Sequence, residues 1–170
     1  MNNAHLHLVV NHLPIIFPIV GVIILLIAIF IKSEVSKRNA YITFVLGAMA
    51  SVLAMATGEG AEEAVEGLPG VSEALISAHE EAAEIFASLS YVLGGVALVG
   101  LLSSFKNLLI NKFMPVVLLV VSAATLYFAF EAGRTGGEIR HTEIRSGTTF
   151  QNGDNGSGLE NIQNSERDHD

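Results

Sequence analysis

The sequence predicts an all-α integral membrane protein, folded as an antiparallel four-helix bundle with an outward acidic loop and a disordered carboxyl-terminal tail. Of its 170 residues 51% are hydrophobic and only 15% charged, whereas soluble domains carry about 25% charged residues. The apolar residues form long blocks without the polar back face of a soluble amphipathic helix. Four blocks approach or exceed the roughly 20 residues that cross a bilayer core.

The four predicted spans cover residues 13–31, 40–57, 85–105 and 113–130. In the first span, Pro14 predicts a helix start near His12, and Pro18 predicts a kink one turn later. No Lys or Arg precedes this span, and it is longer than the apolar core of a signal peptide, about 7–15 residues. We therefore expect a retained membrane helix.

The segment between the second and third spans contains helix signals as well as a turn. The glycines of Thr57-Gly58-Glu59-Gly60 predict the end of the second helix. Ser72 predicts the N-cap of a third helix that runs from Glu73 through Phe105. Residues 1–145 would form the transmembrane domain. Residues 146–170, which include His169, are rich in Gly, Asn, Ser and acidic residues and predict a disordered tail.

The distribution of charge predicts the orientation, since Lys and Arg in short loops favour the cytoplasmic side. The connection between the first two spans and the connection between the last two together contain five basic residues, whereas residues 58–84 contain none. Both termini would therefore face outward from a bacterial inner membrane, although Arg134, Arg140 and Arg145 lie on the acidic side. The basic residues are Lys32, Lys37, Arg38, Lys106 and Lys112, and the acidic segment carries Glu59, Glu62, Glu63, Glu66, Glu73, Glu80, Glu81 and Glu84.

The same topology places five histidines, distant in sequence, at the outer end: His5, His7, His12, His79 and His141. Imidazole at a membrane boundary suits haem iron or a transition metal. The absence of cysteine excludes disulfides, thiolate zinc sites, iron–sulfur clusters and covalently attached haem. A non-covalent haem b needs only two axial imidazoles.

His12 and His79 are the predicted axial ligands, because each lies closest to an apolar span, and His7 and His141 are alternates. Arg134 and Arg140 would pair with the haem propionates. The leading hypothesis is accordingly a haem b protein that passes electrons at the outer face, rather than an enzyme. The net charge of −8 argues against a nucleic-acid partner, and no hydrolase motif is present.

Two alternatives remain open at this stage. The same histidines, His12 and His79, with Glu59, Glu62 or Glu80, would suit a site for copper, iron or zinc. Histidines at membrane interfaces also simply hydrogen-bond lipid headgroups or cap helices, which would leave a non-catalytic scaffold or accessory subunit.

The segment His7-Leu-Val-Val-Asn-His12-Leu-Pro14-Ile15 resembles the opening motif His-Pro-x-x-x-His-Phe-Pro-Ile of an uncharacterised family of four-helix bacterial membrane proteins. Leu8 and Leu13 depart from that motif. Thr57-Gly58, His79 with the alanines after it, and Gly136-Gly137 are similar to further landmarks of the family. Some members are fused to cytochrome c domains, so the resemblance implies a redox setting, a haem, and a cytochrome or respiratory-chain partner.

Overall fold

The chain folds into five α-helices in the computed structural model, which describes residues 3–145. Within that range there is no β-strand, and two short 3-10 turns cover Leu109–Lys112 and Thr142–Ile144. The predicted tail and His169 lie outside the described residues. The helices are α1 (Asn3–Val10), α2 (Leu13–Phe30), α3 (Glu34–Val65), α4 (Glu73–Phe105) and α5 (Met114–Arg140).

Helices α2 to α5 form an antiparallel four-helix bundle, which confirms the predicted fold class. Each packs against the next in chain order, α2 also packs against α5, and α1 lies on α3. The main core is a cluster of buried side chains contributed by all four long helices: Leu25, Ala40, Tyr41, Phe44, Leu93, Ala97, Met114 and Leu118.

Four helical segments of the described chain are long and apolar enough to cross a membrane: Ala4–Phe30, Glu34–Val65, Glu73–Phe105 and Met114–Arg140. Large apolar side chains cover the outside of the bundle; Phe30, for example, is 82% exposed and Phe130 is 67% exposed. An apolar surface of this extent marks a membrane or protein contact on an otherwise folded chain. Length and composition therefore indicate a multi-pass membrane protein.

Several local predictions are confirmed. The chain breaks between Val10 and Leu13, and α2 begins at the residue before Pro14, with Pro18 accommodated inside the helix. Helix α4 runs from Glu73 to Phe105 with Ser72 at its N-cap position. At the start of α3, the Ser33 hydroxyl accepts a hydrogen bond from the Ser36 N–H at 3.2 Å, so helix begins sooner than the predicted span.

The predicted end of the second helix at Gly58 and Gly60 is wrong. Helix α3 continues through both glycines to Val65, and α5 likewise contains Gly136 and Gly137 and ends at Arg140. Only residues 66–72 separate α3 from α4, so most of the acidic segment is helix that extends the bundle. Glycine weakens an isolated helix by about 1 kcal/mol, and packing of a neighbouring element on the exposed backbone overrides that preference.

Glycines also allow α3 and α4 to approach closely in the middle of the bundle. A Cβ added to Gly94 on α4 would overlap the Cβ of Ala48 on α3. A Cβ added to the next residue, Gly95, would meet no described atom within 4 Å. The two glycines are adjacent in sequence, but Gly94 is packed tightly against α3 whereas the space beside Gly95 is open.

We expect Gly94→Ala to destabilise the bundle and Gly95→Ala to leave it unchanged or slightly more stable. Overpacking of a tight helix contact costs about 1–3 kcal/mol, whereas alanine in an open helical position regains up to about 1 kcal/mol of helix propensity. Thermal unfolding in detergent, followed by circular dichroism, compares the two variants. Equal unfolding temperatures would contradict the close approach of α3 and α4.

Candidate functional site

The alternation of helix direction brings all five described histidines to the same end of the bundle. This end contains α1, the start of α2, the end of α3, the start of α4 and the end of α5. His5, His12 and His141 are exposed there, whereas His7 and His79 are half-buried. Burial therefore separates two of the five imidazoles from the rest.

His7, on α1, lies against the last turns of α3. Its Nδ1 is 3.0 Å from the Thr57 Oγ1 and 3.1 Å from the Ala54 carbonyl oxygen. The ring edge faces Gly58, where an added Cβ would lie 3.9 Å from His7 Cε1. Thr57 is itself buried at 8% exposure, so the imidazole covers a polar side chain that faces away from lipid.

His79, on α4, makes the corresponding contacts with α5. Its Nδ1 is 3.3 Å from the Thr135 Oγ1. A Cβ added to Gly136 would lie only 2.9 Å from His79 Cε1. The absence of a side chain at this position allows the ring to rest on the helix surface.

The two histidine contacts share one sequence pattern. Residues 54–58 read Ala-Met-Ala-Thr-Gly and residues 132–136 read Ala-Gly-Arg-Thr-Gly, so Ala-x-x-Thr-Gly occurs once in α3 and once in α5. Residues separated by three or four positions share a helix face, so the carbonyl, the hydroxyl and the bare glycine form one surface. This repeat was present in the sequence and is the signal that could have identified the site.

His7 and His79 lie at the same end of the bundle, on α1 and α4. Within residues 3–145, no three side chains of His, Asp or Glu form a group that could hold a metal ion. The structure thus assembles a pair of imidazoles rather than a multidentate cluster of protein ligands.

Of the two predicted axial ligands, His79 belongs to this pair and His12 does not. His12 occupies the N-cap position of α2, where its side chain is exposed and makes no described cap hydrogen bond. Its carbonyl oxygen accepts hydrogen bonds from the N–H groups of Ile15 and Ile16 at 3.2 and 3.0 Å. Because the helix is interrupted before Pro14, the His12 side chain lies on the surface of the bundle. His7, which was predicted as an alternate ligand, is the half-buried histidine of this segment.

The remaining predicted site residues lie on the exposed rim of this end. His141 Nδ1 is 2.8 Å from Glu143 Oε1, and the pKa of Glu143 is lowered first by its own backbone N–H and then by His141. Arg134 pairs with Glu131 at 2.9 Å and with Glu138 at 2.6 Å. Arg140 is exposed at the last residue of α5.

No family model matches the chain, and neither the curated proteins nor the solved structures compared with it include a match.

We expect Gly136→Ala to expel the His79 ring from its contact with α5. The added methyl group would lie within 3 Å of the ring, and the imidazole is the part that can move. Modification of histidines by diethyl pyrocarbonate, followed by mass spectrometry, should show a several-fold faster reaction at His79. Gly133→Ala, one turn earlier on α5, is the control, because its methyl group would lie 4.0 Å from the Ile15 side chain. An unchanged rate at His79, measured against exposed His12, would contradict the described contact.

Proposed function

We propose that this protein binds a haem b at the outer end of the bundle, through His7 and His79, and passes electrons at the outer face of a bacterial inner membrane. One observation carries the proposal. Two half-buried imidazoles on different helices lie at the same end of the bundle, and Nδ1 of each lies within hydrogen-bond distance of the threonine of an Ala-x-x-Thr-Gly segment.

The donor set fits a b-type haem. Such a haem needs two axial imidazoles and no covalent attachment through cysteine. His7 and His79 both use Nδ1 for contacts with the protein, which leaves Nε2 of each ring for iron. When bound, haem supplies a centre that takes up and releases one electron.

The same donor set is poorer for a bare metal ion. Copper, iron and zinc sites in proteins use three or more protein ligands, and no such group occurs among residues 3–145. The haem macrocycle provides four nitrogen ligands of its own, so two imidazoles complete its coordination. This difference favours haem over the alternative of an isolated copper, iron or zinc ion.

The surroundings of the pair are suited to an anionic cofactor and a charged partner. Arg134 and Arg140 lie on the last turns of α5, near Thr135, and are the candidates to pair with propionates. Arg134 already binds Glu131 and Glu138, so we assign the larger part to Arg140. The Glu-rich end of α3 and the Glu-rich start of α4 would face a cytochrome or respiratory-chain partner outside the membrane. In this orientation both chain termini would also face outward.

A second function is favoured by a different aspect of the same contacts. The His7–Thr57 hydrogen bond ties α1 to α3, and the His79–Thr135 hydrogen bond ties α4 to α5. In an accessory or scaffold protein, these histidines would act as clamps between helices and would hold no cofactor.

The optical spectrum of the purified protein separates the two functions. After expression with sufficient haem, we expect a Soret band that His7→Ala and His79→Ala each abolish or strongly reduce, because one axial imidazole is lost. His12→Ala, which removes an exposed histidine five residues from His7, should keep the band. Bound haem per protein chain, assayed as the pyridine complex, quantifies the comparison.

Two outcomes would decide against haem binding at this pair. The absence of a Soret band in the wild-type protein would support the scaffold function, in which His7→Ala and His79→Ala lower only the unfolding temperature. Loss of haem from His12→Ala together with retention by His7→Ala would assign the ligand to His12 instead.

A further inference from the structure

We infer that the Ala-x-x-Thr-Gly segments of α3 and α5 fix the tautomer of the two histidines, with the proton on Nδ1 and the lone pair on Nε2. Thr57 is a positioning residue for His7 together with the Ala54 carbonyl, and Thr135 is the positioning residue for His79. The importance of this tautomer for iron rests on the proposed function. The tautomer itself is a property of the protein without any cofactor and is measurable on its own.

The backbone carbonyl next to His7 determines where the ring proton lies. The Ala54 oxygen is 3.1 Å from His7 Nδ1, and a carbonyl oxygen accepts hydrogen bonds but cannot donate them. An unprotonated Nδ1 would place two lone pairs against each other at this distance. Nδ1 must therefore carry a proton and donate it.

The Thr57 hydroxyl cannot supply this proton in place of His7. Its Oγ1 lies 3.0 Å from the Leu53 carbonyl oxygen and 3.1 Å from that of Ala54, and its proton is donated to the backbone of its own helix. The hydroxyl oxygen therefore presents lone pairs to the ring. The Nδ1–H group is shared between Thr57 and Ala54, a three-centre arrangement that is common near helix ends.

The same reasoning applies to the second histidine. Thr135 Oγ1 lies 2.9 Å from the Glu131 carbonyl oxygen and 3.2 Å from that of Ala132. It therefore faces His79 Nδ1, 3.3 Å away, as an acceptor. A single contact of this kind is ordinary side-chain packing. Its repetition with the same spacing and the same following glycine indicates one requirement met twice.

A neutral imidazole with its proton on Nδ1 has its lone pair on Nε2. Histidines that bind metals usually donate the other ring N–H to a carbonyl or a similar acceptor, which fixes the tautomer and the ring orientation. In this protein α3 and α5 supply those acceptors from their own backbone and hydroxyl groups. Both Nε2 atoms would therefore be ready to coordinate before any cofactor arrives.

The test is nitrogen-15 NMR of the histidine-labelled, cofactor-free protein in detergent micelles. We expect two of the histidines to show a protonated Nδ1 and an unprotonated Nε2 at neutral to mildly alkaline pH. Thr135→Val should shift His79 toward the tautomer with the proton on Nε2, Thr57→Val should shift His7 less because the Ala54 carbonyl oxygen remains as an acceptor for Nδ1–H, and exposed His12 should not change. Thr57→Ser and Thr135→Ser keep the hydroxyl and should restore the wild-type signals.

The wild-type spectrum alone can overturn the inference, even if a valine variant does not fold. Protonation of Nε2 in both half-buried rings would contradict it, as would a Thr135→Val variant that folds and keeps the wild-type tautomer of His79. If haem binds, Thr135→Val should weaken its binding by about 10–100-fold and Thr135→Ser should not. If the Nδ1–H tautomer is found in a protein that takes up no haem, the inference stands and the proposed function fails.

Discussion

The contact of an imidazole ring with a bare helix surface is the constraint on which the histidine-bearing end of this bundle depends. Any side chain at Gly136 on α5 would occupy the space of the His79 ring, whereas a Cβ added to Gly58 on α3 would be in ordinary contact with the His7 ring, 3.9 Å from Cε1. The glycine is therefore required for the His79 contact and is only compatible with the His7 contact. Gly136 cannot be judged by helix propensity alone.

Polar side chains elsewhere in the bundle follow a simpler rule. The hydroxyls of Ser51, Ser90 and Thr125 donate to carbonyl oxygens of their own helices, which lowers the cost of burying them among apolar residues. Thr57 and Thr135 make the same local bonds and in addition lie within hydrogen-bond distance of an imidazole on another helix. They are thus distinguished by a second partner, and it is this second bond that connects helix packing to the chemistry of the imidazoles.

The two ends of the bundle are held together by different kinds of contact. At the end opposite the histidines, Arg38 donates to the Ser104 hydroxyl and carbonyl oxygen at 2.9 and 3.0 Å and covers the Phe105 ring, so a cation there secures the contact between α3 and α4. At the histidine-bearing end, imidazole rings join α1 to α3 and α4 to α5, one ring for each half of the chain. A ligand held between these rings would contact both halves of the chain at once. Its binding would therefore stabilise the whole bundle.

The sequence by itself determined the four long helices, the start of α2 near Pro14 and the limits of α4, because these follow from the length of apolar blocks and from local signals within one or two turns. Only the tertiary structure decided which histidines are buried and how far α3 and α5 extend. His7 and His12 are equally polar and close in sequence, and their difference arises from Thr57, 50 residues after His7. The repeated Ala-x-x-Thr-Gly pattern was visible beforehand, but its partner rings lie on other helices, and only packing brings a residue onto a surface so distant along the chain.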